Sequence, residues 1–69
     1  MVHYKVIIQF TAIVEEEHRY FPKDFYDEVF VDLPENVSVP QNRIYIDVVD
    51  SYYLSIRDVI SHRIEVVKL

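Results

Sequence analysis

The sequence predicts a mainly β fold: one domain spanning residues 1–69, built as a small five-stranded antiparallel barrel or curled sheet. Three observations carry this reading. Residues Val2 to Val14 alternate with period 2, the spacing of a strand with one buried face. The composition, 51% apolar and 14% aromatic, is that of a packed chain and not of a disordered one. Short segments rich in Ile and Val recur to the C-terminus, separated by proline-asparagine turns.

Strand one places Tyr4, Val6, Ile8, Phe10, Ala12 and Val14 on one wholly apolar face, and His3, Lys5, Ile7, Gln9, Thr11 and Ile13 on a mixed one. From Glu15 to Asp24 the chain is polar and contains Pro22, so a solvated loop is expected there. Alternation resumes at Phe25 and runs to Leu33 as strand two. Two Pro-x-Asn units, Pro34-Glu35-Asn36 and Pro40-Gln41-Asn42, suit type I turns. Strand three follows at Arg43 to Val49, with Ile44, Ile46 and Val48 inward. A tight turn at Asp50-Ser51-Tyr52 leads into strand four, Tyr52 to Arg57, and Ile64 to Lys68 forms strand five.

This order of a long strand, a large loop, a strand, a tight hairpin and a final short turn is that of an SH3-like barrel. The alternative is an α+β fold: a three-stranded sheet with a helix near 51–62, where Tyr52, Tyr53, Ile56, Val59 and Ile60 also fit a helical stripe and Ser51 can cap it.

Composition narrows the function. Glycine is absent, which removes the phosphate-cradling loops of the dinucleotide fingerprint and the P-loop. It also means that any backbone position with positive φ should fall on Asn or Asp. Cysteine is absent, so neither disulfides nor thiolate metal sites are expected. With no leader-like start and no long apolar run, the chain reads as cytoplasmic, with no membrane partner.

Catalytic patterns are weak. His3, His18 and His62 lie far apart without metal-ligand spacing, so no metal or cofactor is expected. Ser61, His62 and Asp58 are the residue types of a hydrolytic triad, but neighbours on a strand face opposite ways. The expectation is a non-enzyme.

The informative stretch is Glu15 to Glu35. It holds eight of the twelve acidic residues against two basic ones, Arg19 and Lys23, and five of the ten aromatics. Its acids and aromatics make the candidate partner-binding set Glu15, Glu16, Glu17, Tyr20, Phe21, Asp24, Tyr26, Asp27 and Glu28. The expected function is a small acidic protein–protein interaction module. One alternative is a virus-encoded inhibitor whose carboxylates mimic nucleic-acid charge and block a basic groove, which makes a basic nucleic-acid-binding protein its partner. A second is a small-barrel nucleic-acid binder using Arg43, Arg57 and Arg63; the net charge of −5 disfavours direct nucleic-acid contact. A homodimer is also expected, with the long first strand as the pairing template.

Overall fold

The computed structural model describes residues 1–69. Two 15-residue strands, β1 (Val2–Glu16) and β2 (Arg19–Leu33), form a long antiparallel hairpin. A helix, α1 (Gln41–Ser51), follows; a short 3₁₀ turn (Ile56–Asp58) then leads into β3 (Val59–Lys68). The sheet order is β2-β1-β3, fully antiparallel and open, so β1 is central and the other two strands are edges. A bulge sits between Thr11 and Ala12, which pair with Ser61 and Val59.

The molecule is mainly β with a three-stranded sheet and one helix, which is the curled-sheet and α+β reading of the sequence. No barrel closes and there are not five strands. Residues 43–49, expected as strand three, belong to α1, and the expected fourth strand is loop and 3₁₀ turn. The helix therefore lies at 41–51 and not at 51–62.

Its pattern explains the difference. A strand would bury Ile44, Ile46 and Val48. A helix buries residues at i, i+1, i+4 and i+5, and the buried set is Ile44, Tyr45, Val48 and Val49, with Ile46 exposed. Both readings share Ile44 and Val48, and only the covering surface decides between them. The even-numbered face of β1 provides it: Val6, Ile8, Phe10 and Ala12 are buried, and α1 lies over them. Phe25, Val29 and Val31 from β2, with Val59, Ile64 and Val66 from β3, complete the margin of this core. Phe10 stacks on Phe25 with ring centroids 4.8 Å apart, and Tyr52 closes the cluster edge-on.

The stretch expected as a loop, 15–24, is strand. The chain reverses on two residues, Glu17 and His18, both at positive φ (52° and 64°), the conformation of a type I′ hairpin turn. Continuous pairing runs from Val2↔Leu33 to Glu16↔Arg19. Pro22 is accommodated inside β2 because it pairs with Ile13. The closing pair of a two-residue turn exchanges hydrogen bonds, so alternate pairs back along the ladder do too. Ile13↔Pro22 is one of the pairs between, where the missing N–H would point away from β1.

The third positive-φ residue is Tyr53, at 60°. It terminates α1 in a Schellman motif: Leu54 N–H donates to Val49 C=O at 3.4 Å and Tyr53 N–H to Asp50 C=O at 2.9 Å. So this glycine-free chain puts its left-handed backbone on Glu, His and Tyr, not on Asn or Asp as expected. Ser51, expected as an N-cap, is instead the last helical residue, and its hydroxyl donates back to Val48 C=O.

The helix covers only the middle of β1, and the hairpin projects past it. The molecule measures 47 × 15 × 15 Å with a radius of gyration of 13.8 Å, against about 11 Å for a compact chain of this length. One whole face of the sheet has no second layer.

Candidate protein-interaction surface

The uncovered face is the odd-numbered side of β1 with its neighbours. Along β1 it presents His3, Lys5, Ile7, Gln9, Thr11, Ile13 and Glu15. Opposite them on β2 stand Asp32, Phe30, Glu28, Tyr26, Asp24, Pro22 and Tyr20 in the same order. On the other side β3 contributes Val67, Glu65, Arg63 and Ser61, facing Lys5, Ile7, Gln9 and Thr11.

The β2 column alternates aromatic and acidic side chains: Tyr20, Asp24, Tyr26, Glu28, Phe30, Asp32, with Pro22 between the first two. Tyr20, Tyr26 and Phe30 are 73%, 53% and 66% exposed. Such large apolar surface is unusual on a strand unless something covers it.

The acids between these rings are held from β1. Thr11 Oγ1 donates to Asp24 Oδ1 at 2.6 Å, Lys5 Nζ lies 3.4 Å from Glu28 Oε1, and His3 Nδ1 contacts Asp32 Oδ1. Each of the three carboxylates thus has a partner one strand inward, which fixes it beside the ring it flanks. The phenols respond to these acids. Hydrogen bonding to Glu15, and then its negative charge, raise Tyr20 above the usual tyrosine range. Partial burial raises Tyr26, followed by the charge of Glu28 and hydrogen bonding to it; Glu65 adds to this and Lys5 opposes it. Both phenols stay neutral donors at physiological pH.

The sequence-derived set divides accordingly. Glu15, Tyr20, Asp24, Tyr26 and Glu28 share the open face. Glu16, Phe21 and Asp27 lie on the helix side, opposite Arg19, Val14 and Ile8, and Glu17 occupies the turn. Asp27 turns its carboxylate onto the backbone, accepting from Glu28 N–H at 2.9 Å. Phe30 and Asp32 extend the surface beyond the set; the alternation running from Tyr20 to Asp32 is the signal that includes them.

The other constellations separate. Ser61 faces the open side next to Thr11, whereas His62 lies on the helix side, stacked on Tyr45. Asp58 caps the 3₁₀ turn, accepting from Ser55 N–H at 3.2 Å. Arg63 is on the open face, Arg57 in the 3₁₀ turn, and Arg43 on the exposed side of α1, 4.0 Å from Asp47. A shallow recess of about 440 Å³ opens at the middle of the sheet, where Gln9, Thr11, Asp24, Tyr26, Ser61 and Arg63 meet. No helix is long and apolar enough to cross a membrane.

No family model matches the chain, and no curated protein or solved structure is significantly similar to it.

Proposed function

We propose that the protein is a non-catalytic protein-interaction module that binds its partner with the open face of the sheet, along the aromatic–acidic column of β2. The observation that carries this reading is the exposure of Tyr20, Tyr26 and Phe30 on one face of one strand, each beside a carboxylate. Aromatic side chains on a rigid backbone lose little entropy on binding and dominate interface energetics. The acids flanking them favour a partner with a basic rim, steering its approach without supplying most of the affinity.

Charge density favours this over mimicry of nucleic acid. Asp24, Glu28 and Asp32 recur every four residues, about 13 Å apart along an extended strand. Duplex DNA carries one charge per ~1.7 Å of axis, roughly eight in the same span. The β2 carboxylates are too sparse to replace such a polyanion, and their β1 partners already engage them.

The test uses a partner isolated from the native host by affinity capture and then titrated in purified form. Tyr26→Ala with Phe30→Ala should weaken binding by at least about 100-fold and leave the unfolding midpoint near wild type. Added salt should reduce affinity only modestly. Wild-type affinity in that double variant would overturn the proposal. Loss of binding confined to Glu15→Lys, Glu16→Lys and Glu17→Lys, with a steep salt slope, would instead favour charge mimicry.

A further inference from the structure

The two edges of the sheet are built differently. On β2 the even-numbered residues turn their backbone groups outward. There Pro22 has no N–H to offer, and the Glu28 N–H is taken by the Asp27 carboxylate at 2.9 Å. Proline and a side chain folded onto the edge are two ways of keeping a strand from pairing.

Neither device is present on β3. The odd-numbered residues of β1 turn their backbone away from β2, so Lys5↔Val67, Ile7↔Glu65, Gln9↔Arg63 and Thr11↔Ser61 are the bonded pairs with β3. The Leu69 N–H to His3 C=O bond of 2.9 Å follows the same parity. His62, Ile64 and Val66 therefore aim their N–H and C=O groups away from the sheet. No segment of the chain hydrogen-bonds to them.

We infer that this edge pairs with the same edge of a second copy, antiparallel, about a two-fold axis at Ile64. Strand one is central and paired on both sides, so it cannot be the template expected from sequence; β3 can.

Charge selects the register. Outward-facing groups must meet outward-facing groups, so the axis passes through a residue and Ile64 can face itself, with His62 facing Val66. That register sets Arg63 of each copy opposite Glu65 of the other, twice by symmetry. Moving the axis to residue 63 sets Arg63 against Arg63, and moving it to 65 sets Glu65 against Glu65. Like charges directly opposite are destabilising, and opposite charges stabilise. The Ile64 register overlaps nine residues of each strand, 60–68. It forms about six backbone hydrogen bonds through the His62, Ile64 and Val66 pairs, and joins the sheets as β2-β1-β3-β3-β1-β2. Both helices then lie on one side and both open faces on the other, so the aromatic–acidic columns are left uncovered at the two outer margins.

Sedimentation equilibrium with purified protein tests the inference. Wild type should reach twice the monomer mass as concentration rises through the micromolar range. Glu65→Arg, which sets two arginines face to face twice over, should remain monomeric. Arg63→Glu combined with Glu65→Arg restores opposite charges and should restore the dimer. A wild-type monomer at high micromolar concentration overturns the inference, as does a dimer that Glu65→Arg leaves intact or that the charge swap fails to rebuild. Amide exchange on wild-type protein gives a check that needs no variant. The N–H groups of His62, Ile64 and Val66 should become protected as concentration rises, whereas fast exchange of all three in a sample of dimer mass would place the contact elsewhere and overturn it.

Discussion

The Tyr45 ring lies on the His62 imidazole, with centroids 4.5 Å apart and planes 22° from parallel. This contact joins α1 to β3, two elements that the chain brings together only after the loop and the 3₁₀ turn. It occupies the margin of the core that Ile44, Val48 and Val49 fill toward β1. Burial raises the Tyr45 phenol above its ordinary range, so the side chain is there as an uncharged ring.

Tyr45→Ala should therefore cost about 3 kcal/mol, the lower end for removing a buried aromatic. A domain of this length holds roughly 3–10 kcal/mol in total, so the variant should lose a third or more of its stability. Tyr45→Phe keeps the ring and should stay within about 1 kcal/mol of wild type. Urea denaturation of both variants measures the difference. Equal losses would show that the hydroxyl, and not the stacked ring, is what matters.

Left-handed backbone at Glu17, His18 and Tyr53 stores strain that glycine or asparagine would relieve. Replacing a non-glycine residue in this conformation should gain about 1 kcal/mol. Glu17→Asn with His18→Gly recreates the preferred dipeptide of a type I′ turn, and Tyr53→Gly supplies the usual residue of a Schellman cap. Each change should raise the unfolding midpoint by roughly 4–8 °C per kcal/mol for a domain this small. Thermal melts that do not move, or that fall, would show that these side chains hold native contacts worth more than the strain.

Pro22 and Asp27 guard the outer edge of β2, and removing both should expose it. Pro22→Ala restores a donor facing solvent, and Asp27→Ala releases the Glu28 N–H. With β3 already free to pair, a second open edge lets copies add at both sides into an open-ended sheet. The double variant should assemble with rising concentration into species larger than a dimer, visible by light scattering, while wild type does not. If it scatters no more than wild type, these residues do not protect the edge.

How much of this was legible in sequence depends on the range of the forces involved. Strand one was plain because its alternation is local and its apolar face has no competing reading. The concentration of acids and aromatics over 15–35 is legible in composition, but residues 15–24 read locally as a loop, and which of these side chains share a face is not legible. Three adjacent glutamates and a proline argue against a strand when considered alone. In the fold, Glu15 stands opposite Tyr20, Glu16 opposite Arg19, and Glu17 leaves the ladder at the turn, while Pro22 meets β1 where no N–H is required.

By itself the sequence determined a mainly β fold, a long amphipathic first strand, the absence of glycine-dependent phosphate loops, and a region where negative charge and aromatic rings concentrate. Tertiary structure alone decided that 41–51 is helix. Ile44 and Val48 serve either secondary structure, and the apolar face of β1 needed a layer across it that Tyr45 and Val49, not Ile46, could complete. Tertiary structure also decided which strands are edges. The number of strands in a sheet, and which of them lacks a neighbour, depends on pairing between segments distant in the chain, and no local pattern records it.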